Sequence, residues 1–189
     1  MLTNVDIEGL ASKMGVPLAL CGFKDELPKT LKGNKTYVIN LEDSQDPESR
    51  EMNDGSHWVG LQVREYKNGK RPEAVYFDSY GKPPPKIVEK LCKDSFDVKP
   101  WHPTKDVQSL VNNACGWYVL AWSHFCNDKR FYVDSLKDQT ELFLEPFLDL
   151  NKYHDYQQNE FILKHFFRSA DPNLRKEVDL PPIVHSEGS

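Results

Sequence analysis

A thiol, an imidazole, a carboxylate and an amide are enough to build an acyl-transfer site, and this chain carries them in the order His57, Asp78, Gln108, Cys115. A thiol attacks an amide only as thiolate, and an isolated cysteine holds too little of it at neutral pH. A nearby imidazolium, a helix N-terminus, or both lower the thiol pKa. Cys115 is placed for both. It follows the polar pair Asn112-Asn113 and opens the apolar run CGWYVLAWSHFC, where free backbone N–H groups and the positive end of a helix dipole favour an anion. Gly116 leaves room for a substrate backbone to approach. The base must itself be held in one tautomer by a third group, usually a carboxylate; Asp78 is the candidate for His57. The Gln108 amide, with the Cys115 backbone N–H, would form an oxyanion hole in which each donor lowers the barrier by about 3 kcal/mol. Trp58 and Asn113, beside the reacting groups in sequence, join Gly116 as candidate substrate contacts.

These side chains need elements to carry them, and the most legible is a hairpin. His57–Tyr66 and Glu73–Tyr80 are rich in Val, Tyr, Phe and Trp, with Lys67-Asn68-Gly69-Lys70 between them. Asn-Gly is the preferred pair for a two-residue type I′ turn, whose central residues both need positive φ. With that turn Lys67 pairs with Lys70, Val59 faces Asp78, and His57 faces Tyr80. His57 and Asp78 then become diagonal neighbours on one face, about 7–8 Å apart at the backbone and within side-chain reach. A slip of one residue would separate them.

Elsewhere the pattern predicts a helix over residues 4–14, with Asn4 as N-cap, acidic residues in its first turn and Gly15-Val16-Pro17 as its stop. Residues 18–35 read as loop, TYVINL (36–41) as a strand, and the polar stretch 42–55 as an exposed, mobile loop. Gly81-Lys82-Pro83-Pro84-Pro85 ends the hairpin stiffly. Residues 86–92 read as a short helix, and 97–101 and 105–108 as a short strand and its approach. Periodicity alone does not assign the run 115–126, but its length favours a buried helix. Two further helices are expected over 135–150 and 159–168. The reading is therefore one α+β domain over residues 1–170, with a flexible tail over 171–189.

Composition narrows the function. At 189 residues with 39% hydrophobic and 12% aromatic content, the chain supports a globular core. No apolar run approaches the ~20 residues of a membrane span, and the N-terminus lacks the features of a signal peptide. Cys21, Cys92, Cys115 and Cys126 show neither CxxC nor paired ligand spacing, so neither a metal site nor a disulfide framework is expected. No cofactor is implied. The net charge of −5 does not indicate a nucleic-acid partner, although Lys67, Lys70 and Arg71, or Lys29, Lys32 and Lys35, would allow a local one. A monomer is expected.

Each candidate has a plainer reading when taken alone. A cysteine at the edge of an apolar run is usually a small core residue, and Cys126 keeps that reading. Asp78-Ser79-Tyr80-Gly81 can be simply a turn, and Gln108 a surface side chain. The combination carries the weight. Gly55-Ser56-His57-Trp58-Val59, Val75-Tyr76-Phe77-Asp78-Ser79-Tyr80-Gly81, and Gln108 followed by Asn112-Asn113-Ala114-Cys115-Gly116-Trp117-Tyr118 resemble the motifs of adenain-type and SUMO-protease-type cysteine peptidases. The six residues between Gln108 and Cys115 match the adenain spacing better than the SUMO-protease one. With the upstream YVINL strand, the pattern is most similar to capsid-maturation proteases of virophages, Maverick/Polinton elements and adenoviruses. The resemblance covers residues 36–126.

What this resemblance implies is a papain-like arrangement, with a central helix carrying the cysteine packed on a mixed, mainly antiparallel sheet carrying the histidine and acid. It further implies a cysteine endopeptidase that cleaves viral precursor (capsid) proteins during particle maturation, in the virion and the infected cell. Asp78 stands where adenain has glutamate. The alternative is a deconjugating protease for SUMO or another ubiquitin-like protein, which needs a surface for a folded modifier and a tunnel for its tail. A third reading is a non-catalytic binding module that keeps the fold.

Overall fold

The computed structural model describes residues 1–45, 48–49, 57–110 and 112–170. The expected tail over 171–189, most of the polar stretch after residue 45, and Gly55 and Ser56 of the first motif lie outside the described residues.

Four strands form one mixed sheet in the order β1 (Leu18–Phe23), β2 (Thr36–Asn40), β3 (Trp58–Arg64), β4 (Glu73–Phe77). β1 runs parallel to β2, and the other two pairings are antiparallel. The helices are α1 (Asn4–Met14), α2 (Lys86–Phe96), α3 (Cys115–Asn127), α4 (Leu136–Leu144) and α5 (Tyr156–Ala170). The expected α+β class and helix-on-sheet arrangement are present. Among the described residues no helix is long and apolar enough to cross a membrane.

Period-two alternation sorts the strand side chains onto two covered faces. Val38, Trp58, Val75 and Phe77 face a core with α1, α3, α4 and α5. Tyr37, Ile39, Val59, Leu61, Val63, Ala74 and Tyr76 form a second core with Val88, Leu91 and Cys92 of α2. α3 is buried nearly all round, as its apolar sequence demands. It approaches β3 closely because Gly60 has no side chain: a Cβ there would lie 2.5 Å from Trp122 Cζ3. Trp122 then stacks on Phe77, with ring centroids 5.2 Å apart, and its indole N–H donates to Thr140 Oγ1 of α4 at 2.9 Å.

The structure corrects the sequence reading in several places. The N-cap of α1 is Thr3, not Asn4. Thr3 Oγ1 accepts from the Asp6 N–H at 3.2 Å, and Asp6 returns a bond to the Thr3 N–H at 2.9 Å, satisfying two donors reciprocally. Within the stretch read as loop, residues 18–23 form β1, whose parallel partner is distant in sequence and leaves no local turn signal. α2 runs to Phe96 and stops at Asp97, which adopts φ 53°. The expected strand near Trp101 is a single bridge to Val75. α4 ends at Leu144 rather than continuing to residue 150, and α5 begins earlier than expected, at Tyr156.

The hairpin turn is not type I′. Gly69 has φ 76°, but Asn68 is not in the left-handed region. Its side chain instead accepts from the Lys70 N–H at 3.2 Å. The register is nevertheless the one expected: the ladder runs from Arg64↔Glu73 to Gly60↔Phe77 and ends one residue before Asp78. Packing of both faces holds it, since a one-residue slip would exchange the two cores.

Candidate active site

The sheet end where β3 begins and β4 finishes meets the N-terminus of α3, and there the candidate residues converge. His57 Nε2 and Asp78 Oδ1 are 2.9 Å apart. Asp78 is buried, with 2% of its side chain exposed, and the His57 side chain is 15% exposed. The same Asp78 oxygen accepts from the Tyr80 backbone N–H at 2.8 Å. The residues 78–81 form a turn closed by Gly81 N–H to Asp78 C=O at 2.8 Å. Gly81 needs to be glycine here: its φ is 71°, and a Cβ would lie 2.3 Å from the Thr104 carbonyl oxygen. The Tyr80 ring stacks on His57, with centroids 4.7 Å apart. Tyr80 reaches His57 from the turn that follows β4.

With Nε2 turned to Asp78, the other ring nitrogen is left for Cys115, which lies close enough to act on the imidazole's pKa. Burial disfavours a charged His57. The hydrogen bonds to Asp78 and then to Cys115, with the charges on both, outweigh burial and raise the imidazole pKa to about 9. The imidazolium is thus the resting form at neutral pH. The backbone N–H of Trp58 donates to Cys115 Sγ at 3.4 Å. Cys115 is the first residue of α3, and Ala114 before it supplies no side-chain cap, so the dipole of the first turn is unopposed by a capping oxygen. Burial above all pushes the thiols of Cys21, Cys92 and Cys126 up to about 12.

Gln108 is buried beside the turn. Its oxygen accepts from Ser79 Oγ–H, and its Nε2 donates to the Asn112 carbonyl at 3.2 Å. The backbone N–H groups of Val107 and Gln108 both donate to the Ser79 carbonyl, at 2.9 and 3.3 Å. Asn112 Oδ1 accepts from the Ala114 N–H at 3.2 Å, one residue before the thiol.

The three candidate substrate contacts are placed differently. Asn113 is exposed, immediately before the buried Ala114 and Cys115. Trp58 is 2% exposed, and its indole N–H donates to the Leu2 carbonyl at 2.9 Å. Gly116 is also enclosed: a Cβ there would meet Leu2 at 3.2 Å and Ile7 at 3.5 Å. The side of Gly116 that a Cβ would occupy thus faces Leu2 and Ile7 of the N-terminal segment. Among the described residues no group of three or more His, Cys, Asp or Glu is placed to hold a metal ion.

Sequence reasoning missed three groups. The Trp58 backbone N–H carries no signal in residue type. Ser79 was legible only as a turn residue. Glu160, buried on α5 and receiving a hydrogen bond from Asn112 Nδ2, lies far along the chain with no local mark.

Chemically, the arrangement places a cysteine sulfur with a backbone donor at a helix N-terminus, an imidazole bonded to a carboxylate beside it, and the Gln108 amide bonded to Asn112 three residues before the thiol. No protein-family model matches the chain, and no curated protein matches it. Among solved structures it is similar to the ASFV pS273R protease, at 17% identity over 84% of this chain and 67% of that one, with TM-score 0.41. It is also similar to HopZ1a, solved in complex with IP6, at 14% identity and TM-score 0.39, over 64% of this chain but only 41% of HopZ1a.

Proposed function

We propose that this protein is a cysteine endopeptidase with Cys115 as nucleophile, and that it cleaves viral precursor (capsid) proteins during particle maturation. The observation that carries the peptidase reading is the His57 imidazole, bonded to the buried Asp78 at 2.9 Å at the sheet end that meets Cys115, the first residue of α3. In the proposed reaction the Cys115 thiolate attacks the scissile carbonyl carbon, and the oxyanion is received by the Gln108 amide and the Cys115 backbone N–H. His57 gives its proton to the leaving amine as the C–N bond breaks, which leaves a thioester. Neutral His57 then takes a proton from water, whose oxygen attacks the thioester. The acid product departs, and the proton restores the imidazolium beside the regenerated thiolate. Asp78 holds the ring and its charge throughout.

Support for the precursor substrate is the motif resemblance, above all the six-residue spacing from Gln108 to Cys115. Incubation with candidate capsid precursors and with a SUMO fusion, followed by mass spectrometry of the cut sites, tests both levels. Cuts confined to the modifier's C-terminal tail would replace the maturation reading with the deconjugase one. No cut in any substrate, with Cys115 unreactive to thiol electrophiles, would remove the peptidase reading.

A further inference from the structure

The Gln108 amide is held from both ends. Its orientation follows from its partners, because the Asn112 backbone carbonyl can only accept and therefore takes the Nε2 end. The oxygen must then face Ser79, whose hydroxyl donates to it. The grip extends past Asn112, whose Nδ2 donates to Glu160 Oε1. Glu160 is 4% exposed. The next residue back on α5, Asn159, is fully buried and secures the other end of the same loop. Its Nδ2 donates to the Val107 carbonyl at 3.1 Å and to the Leu148 carbonyl at 2.8 Å, and its Oδ1 accepts from the Leu148 N–H at 2.7 Å. A buried carboxylate and a buried amide on one helical turn of α5 therefore hold Asn112 and Val107, which flank Gln108 in sequence. Polar groups buried this completely are costly unless paired, and here the pairing runs along the loop that carries the amide to the thiol.

We propose that Ser79 and Glu160 are positioning residues for the Gln108 amide, Ser79 through the amide oxygen and Glu160 through Asn112. The role rests on the peptidase reading, in which the second Nε2 proton serves the oxyanion. Neither residue touches the thiol or the imidazole. Their loss lowers the rate of the chemical step and leaves formation of the Cys115–His57 ion pair alone.

The test combines two readouts on Ser79→Ala, Glu160→Ala and Glu160→Gln, in the wild-type and Gln108→Ala backgrounds. The first is the NMR signal of the Gln108 side-chain NH2 group, which reports position whether or not the protein cleaves anything. It should collapse toward solvent-exposed shifts in Ser79→Ala and Glu160→Ala and persist in Glu160→Gln, which keeps an acceptor for Asn112. An unmoved signal in both alanine variants overturns the inference. The second readout is peptide hydrolysis. Ser79→Ala should lower kcat about tenfold with KM within about twofold and Cys115 alkylation unchanged. On the Gln108→Ala background it should add less than about twofold, because the group it positions is gone. Equal losses on both backgrounds would mean that Ser79 acts by another route and would overturn the inference. Glu160→Ala may be judged by NMR alone if its melting temperature falls sharply, since Glu160→Gln supplies the folded control. A wild-type protein that hydrolyses no peptide, with the Gln108 signal behaving as expected, would separate failure of the peptidase reading from failure of the positioning one.

Discussion

The backbone N–H of Trp58 lies 3.4 Å from Cys115 Sγ, so the first residue of β3 solvates the sulfur that the first residue of α3 presents. A donor fixed in a sheet cannot rotate away. In the proposed reaction such a donor partners the negative charge on sulfur at no further cost in ordering.

Selective reactivity follows. All four cysteines are buried, but the thiols of Cys21, Cys92 and Cys126 are raised to about 12, whereas Cys115 has the Trp58 N–H on its sulfur and is the proposed partner of His57. Iodoacetamide near neutral pH should therefore modify Cys115 first, by at least tenfold in rate over the others. Cys115→Ala and Cys115→Ser should abolish peptide cleavage with the circular dichroism spectrum unchanged. Even modification of all four cysteines, or cleavage by either variant, would exclude Cys115 as nucleophile.

A pH dependence follows from His57. Its pKa is raised from 6.5 to about 9 in the folded chain, so the stability it contributes is complete below about 6.5 and is lost as pH rises through about 9. In the proposed reaction the imidazolium protonates the leaving amine, and it is lost over the same window. Hydrolysis should therefore decline on an alkaline limb near pH 9, and an NMR titration of His57 should show the same midpoint. Two of the causes that raise the value come from Cys115, so Cys115→Ala should lower the midpoint. His57→Ala should be nearly as inactive as Cys115→Ala. Activity within tenfold of wild type would transfer the role of base to another histidine.

How much of this was legible beforehand depended on whether the signal was local. The His57–Asp78 juxtaposition could be read because a hairpin fixes register over a short span of chain, and two covered faces hold that register even though the turn differs from the one expected. α3 could be read from the length of its apolar run. β1 could not, because its parallel partner Thr36–Asn40 lies beyond an intervening loop. Nor could Glu160, which reaches Asn112 across forty-eight positions of sequence. Gly116 suited an approaching backbone on residue type alone, and only packing showed that Leu2 occupies that side.

Asp78→Asn should separate orientation from charge. The hydrogen bond to Asp78 is the largest cause raising the His57 pKa, and its charge adds to it. Asparagine keeps the size but removes the charge, and its amide can present an N–H that forces the other imidazole tautomer. The His57 midpoint should fall by more than one pH unit. The rate should fall by less than in His57→Ala, since the acid does not react. Measuring kcat beside the titration checks both; an unaffected rate would remove Asp78 from the site.

The distance from Trp58 to Cys115 depends on how closely α3 lies on β3, and Gly60 sets that approach. A methyl group at Gly60 would lie 2.5 Å from Trp122 Cζ3, 2.9 Å from its Cε3 and 3.0 Å from Val119 Cγ1. Trp122 cannot swing aside freely, since it is fully buried, stacked on Phe77 and bonded to Thr140. Gly60→Ala should therefore destabilise the fold by about 1–3 kcal/mol through overpacking. It should also slow Cys115 alkylation by shifting the start of α3 away from the Trp58 N–H. Trp122→Phe frees space at the clash but breaks the bond to Thr140, so alone it should destabilise as well. Combined with Gly60→Ala, it should cost less than the two losses added together. Urea unfolding of the four proteins, with alkylation rates beside it, measures the coupling. Strict additivity would show that Gly60 and Trp122 do not set the spacing between the sheet and the helix that carries Cys115.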